Sequence, residues 1–321
     1  MIARLPTARV PLVIFVALNA AVSSTVGQTY RHICLGMGPV AYWTLDGVNE
    51  YSLTNGFSSS YQGDATNTLP SDAVRLPGLA TNASVFLDGA DDYVQTGLDD
   101  EEGFPDAATI IAWVRFSRLP SEAGRIFTIV AKSMYDNDLD LQVHPDNRLY
   151  FYVARSYAVA CEFPGGLMTN VWYHVAASFD DVADRQVLYV DGNEVVSQLY
   201  TAERYSSSTP LSIGESLVFR GRYFQGSIDE VAVFSRALSP HEIRALYEAA
   251  IPSIHIQFEG PDIVVDWPAV DVLILQACGS LMAPTEWIPV GLPPLLTNGR
   301  YRATVDTGAA PQQFFRVWTD Q

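Results

Sequence analysis

Acidic side chains are the residues of this chain best suited to chemistry, and their spacing argues against hydrolysis. A retaining glycoside hydrolase needs two carboxylates about 5 to 5.5 Å apart, which appear on one strand as acids at alternating positions. Asp229 and Glu230 are adjacent, so a strand would send them to opposite faces. Asp138 and Asp140 do alternate, but no glutamate accompanies them. The sequence therefore predicts no catalytic residues.

Other motifs of catalysis and metal binding are missing from the sequence. There is no Gly-x-Ser-x-Gly elbow, no phosphate-binding loop and no His-Glu-x-x-His. The five histidines are scattered and no Cys-x-x-Cys pair occurs, so no zinc spacing is present.

Cys34, Cys161 and Cys278 could form one disulfide at most. We favour three buried, free cysteines, and a Cys34–Cys161 bridge stays open.

Aromatic residues in predicted loops could form a platform for a sugar, which packs on aromatic faces beside polar groups. These residues are Tyr135, Tyr157, Tyr205, Phe219 and Tyr223. We predict ligand contacts from Tyr135, Tyr157 and Tyr223. The tryptophans in predicted strands, by contrast, are assigned to the core: Trp43, Trp113 and Trp172. His174 lies in a strand and is predicted to be a hydrogen-bonded core histidine.

Composition restricts the class of partner. The 321 residues are 48% hydrophobic, which is enough for a sizeable core. The net charge of −17 excludes nucleic acid as the expected partner and disfavours an anionic membrane surface. Hard cations prefer oxygen ligands, so Ca²⁺ is the cofactor that an acidic chain could hold.

The N-terminus has the pattern of a secretory signal, which we predict for residues 1–27. Arg4 and Arg9 precede an apolar run from Pro11 to Ala21 that is short for a membrane span. Small residues follow, and cleavage is expected between residues 20 and 28. No later stretch is long and apolar enough to span a membrane. The sequence predicts a secreted or cell-envelope protein; the alternative is an uncleaved membrane anchor.

The region 41–234 contains short strands and turns with almost no helical period. Residues 109–116 alternate, with Ile110, Ala112, Val114 and Phe116 on one face. Residues 139–143 and 149–153 are typical of a β-hairpin. Asp191-Gly192 suits the positive φ angles of a second tight turn. Strands without intervening helices predict an all-β antiparallel sandwich.

One helix is well marked near residue 240. Ser239 and Glu242 form a capping box around Pro240, so we expect a helix from Pro240 to Ala249. It closes a predicted domain of residues 28–251. Residues 252–321 contain about six further strands, the size of a small β-sandwich-like domain.

Several sequence segments resemble those of laminin-G-like, concanavalin-A-like lectin jelly rolls and occur in the same order along the chain. They are PVAYWTLD at 39–46, SVFLDGADDYV at 84–94, WYHVAASFD at 172–180, LYVDGN at 188–193 and FQGSIDEVAVFSRALSPHEIRALY at 224–247. The resemblance covers about residues 30–250 and implies a two-sheet jelly roll, usually a non-catalytic binding domain. The tail resembles short C-terminal β-modules of secreted bacterial proteins and implies no activity.

The alternation of apolar and polar residues is interrupted once in the last of these segments, at 224–247. The apolar residues from Ile228 to Val233 are spaced by three and then two, which predicts a β-bulge near Asp229 and Glu230. The two acids are then partners of an arginine or of loop amides, or else metal ligands. We favour the structural role.

The resemblance to pentraxins also implies a calcium site. In that family an Asp-Asn pair and a later acidic loop hold Ca²⁺; Asp136, Asn137 and Glu215 are the residues here that match. The implied function is a secreted, non-catalytic module that binds an extracellular carbohydrate or protein, assisted by Ca²⁺. The alternatives are a cell-envelope structural or adhesion protein and a glycoside hydrolase on the same sandwich.

Overall fold

The structure is a computed structural model of the whole chain. It describes residues 18–19, 27–48, 50–67, 76, 82–99, 106–132, 139–154, 157–199, 209–250, 255–259, 262–268, 273–278, 288–289, 295–297, 300–305 and 314–319. Within these ranges, no helix has the length and apolar character needed to cross a membrane.

The described elements are three helices and twenty-three strands. The helices are α1 (Gly27–Gly36), α2 (Pro120–Ala123) and α3 (Pro240–Ala250). The strands are β1 (Leu18–Asn19), β2 (Ala41–Trp43), β3 (Ser59–Gln62), β4 (Thr66–Asn67), β5 (Val85–Asp88), β6 (Tyr93–Thr96), β7 (Ala107–Phe116), β8 (Phe127–Ala131), β9 (Asp140–Val143), β10 (Arg148–Ala154), β11 (Tyr157–Glu162), β12 (Trp172–Asp180), β13 (Arg185–Val190), β14 (Asn193–Leu199), β15 (Ser212–Ile213), β16 (Gln225–Phe234), β17 (His255–Glu259), β18 (Asp262–Pro268), β19 (Leu273–Cys278), β20 (Ile288–Pro289), β21 (Leu295–Thr297), β22 (Arg300–Val305) and β23 (Phe314–Thr319).

The chain forms two compact units. One comprises Tyr30–Val74 and Thr81–Glu248, and the other comprises Met1–Thr29, Arg75–Ala80 and Ala249–Gln321. The larger unit holds almost all of the predicted jelly roll. The domain boundaries at residues 27 and 251 stay predictions.

The larger unit is the predicted all-β sandwich of two antiparallel sheets. One sheet has the order β11-β10-β9-β8-β15-β6-β3, and the other has the order β14-β13-β12-β7-β16-β5-β4, with β2 also paired to β16. Alternate side chains of each strand point between the sheets. The core includes the predicted inward face of β7 together with large residues from both sheets: Ile110, Ala112, Val114, Phe116, Phe127, Phe151, Phe179 and Ile228. Each of the buried isoleucine, valine and phenylalanine side chains contributes roughly 1.5–3 kcal/mol.

The Asp191-Gly192 hairpin forms where the sequence predicts it. Asp191 has a φ of 50° and Gly192 a φ of 73°, and they join β13 to β14. A Cβ atom on Gly192 would come within 2.7 Å of the Tyr247 Cβ atom, so the turn also needs glycine for its packing.

The predicted bulge in β16 is confirmed. The register of β16 against β7 shifts between Asp229 and Ala232, and Glu230 has a φ of 52°. Because the bulge breaks the alternation, both carboxylates are fully buried. Adjacent acids on a regular strand would have pointed to opposite faces of the sheet.

Helix α1 supplies the cation that these acids need, and the sequence patterns did not predict this helix. Arg31 donates to Glu230 Oε1 from Nε at 2.9 Å and from Nη2 at 2.5 Å. The hydroxyl of Tyr42 donates to the other oxygen of Glu230. Asp229 Oδ2 accepts a 2.7 Å hydrogen bond from Asn82. We call Arg31, Tyr42, Asn82, Asp229 and Glu230 the bulge clamp.

The outer face of the sheet that contains β7, β12 and β16 carries further buried polar groups. Trp113 pairs across strands with His174 on one side and Asp229 on the other. His174 is buried as predicted, but the prediction of a hydrogen-bonded histidine was wrong: among the described residues neither ring nitrogen has a partner. Trp43 lies in the core and Trp113 is buried on this outer face, whereas Trp172 is partly exposed.

Helix α3 is confirmed with its capping box. Ser239 N donates to Glu242 Oε2 at 2.8 Å, and Glu242 N donates to Ser239 Oγ at 3.3 Å. Leu238 before the helix and Ile243 within it are both buried, as a hydrophobic staple requires.

All three cysteines are buried and free.

The smaller unit contains two four-stranded sheets. One has the order β17-β18-β22-β21, and the other has the order β1-β23-β19-β20 with β1 parallel to β23. The six strands predicted in residues 252–321 all occur, and β21 is additional. Leu18 and Asn19 of β1 come from the predicted signal, which stays a prediction.

The bulge clamp predicts an unequal response to loss of two arginines. Arg31→Ala leaves Glu230 buried without its cation, so we expect a loss of about 3 to 5 kcal/mol in the free energy of unfolding, measured in urea. The control is Arg244→Ala, which breaks an exposed 2.7 Å ion pair with Glu248 and should cost below about 1 kcal/mol. Equal losses in the two variants would contradict the clamp.

Buried ionisable groups also predict two opposing effects of pH on stability. Burial lowers the pKa of His174 to about 3, so stability is lost as pH falls below the unfolded value of about 6.5. Burial, with the charge of Glu230, raises the pKa of Asp229 well above its ordinary value. The native state then binds more protons than the unfolded state, and stability is lost as pH rises through the native pKa.

The measurement is the free energy of unfolding from about pH 4 to pH 9. His174→Gln should reduce the loss of stability below about pH 6.5, and Asp229→Asn should reduce the loss that accompanies rising pH, because neither replacement titrates. A loss of stability with rising pH that persists unchanged in Asp229→Asn would assign that loss to another group.

Candidate functional site

The outer face of the seven-stranded sheet carries the aromatic residues that are best placed to meet a ligand. Leu141 on β9 and Phe151 on β10 belong to the sandwich core. The alternate positions Gln142, Tyr150 and Tyr152 therefore lie on the outer face, where β9 and β10 pair in register. His144 follows β9 directly. We call His144, Tyr150 and Tyr152 the aromatic cluster.

The three rings of the aromatic cluster have nearly parallel planes. The centroids of His144 and Tyr150 are 3.9 Å apart with an interplanar angle of 24°. Tyr152 lies 6.0 Å from His144 and 6.3 Å from Tyr150, at 21° and 16° respectively. All three side chains are partly exposed. The cluster thus offers aromatic faces and edges that are already packed against each other before any ligand binds.

Polar groups surround the aromatic cluster. The hydroxyl of Tyr150 donates to Asp146 at 2.7 Å, which fixes the ring. Gln142 Nε2 donates to the buried carboxylate of Asp140 at 2.9 Å. Arg222 Nη1 donates to Gln142 Oε1 at 3.3 Å, so an arginine reaches the cluster from another part of the chain.

The charges of Asp146 and Arg222 influence the pKa values of the aromatic cluster. Burial lowers the pKa of His144; the charge of Asp146 opposes this shift and that of Arg222 adds to it. Burial raises the pKa of Tyr152, and Arg222 opposes that rise. The hydrogen bond to Asp146 raises the pKa of Tyr150. At neutral pH the cluster therefore presents an uncharged imidazole and protonated phenols next to one guanidinium.

Arg222 belongs to the loop between β15 and β16, which we call the arginine loop (residues 214–224). Its guanidinium carbon lies 4.7 Å from the centroid of the Phe219 ring. Glu215 is fully buried inside the loop, and its carboxylate accepts backbone N–H groups of Ser216 at 2.9 Å, Gly221 at 3.3 Å and Arg222 at 3.4 Å. The loop is folded around this carboxylate.

Of the three ligand residues predicted from sequence, the structure describes the side chain of Tyr223 alone. Tyr223 is partly exposed in the arginine loop. Tyr157 begins β11, and its side chain lies outside the described residues. Tyr135, Asp136 and Asn137 lie outside them as well. Of the predicted calcium ligands Asp136, Asn137 and Glu215, the structure therefore describes only Glu215. The calcium site stays a prediction.

Sequence reasoning missed Tyr150 and Tyr152 although their signal was present. In LYFYV at 149–153 the aliphatic and phenylalanine positions alternate with the two tyrosines. That alternation sends the tyrosines to the opposite face from Phe151. Arg222 had no such signal, because only the folded arginine loop carries it to β9.

A group of four aspartates is the part of the described structure that could hold a cation. Carboxylate oxygens of Asp64, Asp88, Asp91 and Asp92 all lie within 4.8 Å of one another. Asp92 is buried and accepts the backbone N–H groups of Asp64 and Asp88. Burial first, and then the neighbouring carboxylates, raise the pKa of Asp92. The donor set suits a hard cation such as Ca²⁺.

Part of the larger unit resembles a known family in sequence. A laminin-G-type family model, described as the concanavalin A-like lectin/glucanases superfamily, matches residues 88–244. Residues 88–244 resemble members of that superfamily, which includes both lectins and glucanases. The match contains the aromatic cluster, the arginine loop and the bulge. A search of curated proteins finds no match.

Solved structures share the fold of this lectin-like domain at low sequence identity. Domain 4 of AbnA, an extracellular arabinanase of family GH43 from Geobacillus stearothermophilus, solved in complex with arabinotriose, is 17% identical with a TM-score of 0.50 and covers 65% of this chain and 98% of its own. The binding domain of botulinum neurotoxin serotype D is 9% identical with a TM-score of 0.53, covering 85% and 86%. That of serotype G is 12% identical, also at 0.53, covering 88% and 65%.

Proposed function

We propose that this chain is a secreted, non-catalytic binding protein that recognises an extracellular carbohydrate through the aromatic cluster and Arg222. The observation that carries the proposal is the packed set of His144, Tyr150 and Tyr152 beside a guanidinium on one sheet face. The C–H faces of a sugar pack against aromatic rings, while its hydroxyls need donors and acceptors held at fixed positions. The cluster offers both.

The nature of the family supports a ligand of this kind. The AbnA domain was solved with an arabinose oligomer bound, which shows that its fold can serve sugar binding in that enzyme. Secretion is supported by the apolar N-terminal run with its two arginines.

The placement of the acids supports a non-catalytic protein. Asp140 is fully buried and accepts the hydrogen bond of Gln142, so it does not face an open cleft. Asp229 and Glu230 are enclosed in the bulge clamp, with Glu230 paired to Arg31. A glycoside hydrolase needs two carboxylates on either side of the scissile bond. These acids have structural partners instead.

Substitution of the two tyrosines tests the proposed site. A glycan array identifies the best ligand of the wild-type chain, and titration calorimetry measures its affinity. We expect Tyr150→Ala and Tyr152→Ala each to weaken binding by about tenfold, because each removes a central aromatic contact. The control is Tyr51→Ala, a tyrosine 69% exposed in the loop between β2 and β3.

Three results would reject this proposal. Unchanged affinity in both cluster variants would place the ligand elsewhere. Turnover of the glycan would show an enzyme. Binding to extracellular proteins and to no glycan would favour the alternative of a protein-binding domain, the use suggested by the likeness to the toxin binding domains.

Calcium assistance is a further part of the proposal and has two places to be tested. We expect Ca²⁺ to raise the melting temperature relative to EDTA, since ligands that bind only the native state stabilise it. The double variant Asp88→Asn with Asp91→Asn removes two carboxylates of the four-aspartate group, and Asp136→Asn removes one of the predicted set. The variant that abolishes the rise identifies the site. No rise in the wild type contradicts calcium binding at either place.

A further inference from the structure

We infer that Glu215 is a positioning residue of the glycan site: its buried carboxylate holds the arginine loop in the one conformation that presents Arg222 to the aromatic cluster. This inference rests on the proposed function, because it names the residue that sets the geometry of the same site. Glu215 lies inside the loop and does not touch the cluster itself.

The first argument is the way in which the buried carboxylate is compensated. A fully buried carboxylate is costly unless hydrogen bonds or an ion pair replace its water. Among the described residues, the Glu215 carboxylate makes no ion pair and accepts three backbone N–H groups of its own loop. Two of these donors are Gly221 and Arg222. The chain on both sides of residues 217–220 is thus tied to one side chain.

The second argument is that Arg222 is held at each of its ends. Its backbone N–H donates to Glu215 Oε1. Its carbonyl oxygen accepts a 2.8 Å hydrogen bond from Thr128 N at β8. Its guanidinium lies over Phe219 and donates to Gln142. Phe219 is itself fixed by a 3.0 Å hydrogen bond from its N–H to Ser216 Oγ.

The third argument is the unused donor capacity of Arg222. A guanidinium has five N–H donors. Within the described part of the chain, its only hydrogen bond goes to Gln142, and the side chain is partly exposed. Its partner Gln142 lies opposite Tyr150 in the pairing of β9 with β10, which places the guanidinium beside the aromatic cluster. Arg222 is therefore held ready to donate to glycan oxygens, and Glu215 supplies the rigidity that makes such a site effective.

A double-mutant cycle on the full chain tests the coupling. With the glycan from the array as probe, we expect Glu215→Gln and Arg222→Ala each to weaken binding by about tenfold. Glutamine keeps the shape of Glu215 but turns one acceptor into a donor that faces backbone N–H groups. The double variant should bind no more weakly than Arg222→Ala alone, because Glu215 acts only through Arg222.

Amide hydrogen exchange separates this role from a general loss of stability. In Glu215→Gln, exchange at the amides of Gly221 and Arg222 should become faster while exchange in β9 and β10 is unchanged. The matched control is Glu50→Gln, since Glu50 accepts the N–H of Leu45 at 2.6 Å in a different loop. It should loosen that loop and leave glycan affinity as in the wild type.

The following results would contradict the inference. Losses that add fully in the double variant show that Glu215 acts independently of Arg222. Unchanged exchange at Gly221 and Arg222 shows that the carboxylate does not hold the loop. If EDTA weakens glycan binding by the wild type but not by Glu215→Gln, Glu215 acts as a metal ligand. If the wild type binds no glycan, the proposed function fails, whereas the exchange result still decides whether Glu215 positions Arg222.

Discussion

The buried pairing of Arg31 with Glu230 is the interaction on which the eight-stranded sheet depends. The β16 bulge brings two neighbouring carboxylates into the protein interior, and neither could stay there without donors. Helix α1 delivers one guanidinium, Tyr42 a hydroxyl and Asn82 an amide. Segments nearly 200 residues apart in sequence therefore meet at a single point. Each of them is held in place by its ion pair or hydrogen bonds with the others.

This arrangement divides the two sheets by role. The acids of β16 and the polar side chains around Trp113 are enclosed on the outer face of the eight-stranded sheet. The outer face of the seven-stranded sheet keeps its aromatic residues partly exposed and receives Arg222 from a loop. In both places a buried carboxylate organises the chain: Glu230 is balanced by a cation, whereas Glu215 is balanced by backbone amides. The first arrangement fixes a helix and the second fixes a loop.

Local signals made much of this fold predictable. The Asp191-Gly192 turn, the capping box of α3 and the slip of alternation at Asp229 each depend on residues within a few positions of one another, and each is confirmed. Helix α1 has no comparable signal, because it begins and ends at glycines and has no acidic residue in its first turn, and Arg31 finds its partner 199 positions away. Of the candidate site, the tyrosines were within reach of the alternation rule. The approach of Arg222 to Gln142 was not, since it depends on the folded path of a loop.

The burial of Asn82 has a consequence for how the chain can be made. Asn82-Ala83-Ser84 is an acceptor sequence for N-linked glycosylation. In the folded domain the Asn82 side chain is 2% exposed, with Nδ2 bonded to Asp229 and Oδ1 bonded to Arg31. Attachment of an oligosaccharide would replace a hydrogen on the nitrogen that meets Asp229, at a position with no space for it. Modification of Asn82 and closure of the bulge clamp are mutually exclusive, so a secretion host that glycosylates the nascent chain would divert it from folding.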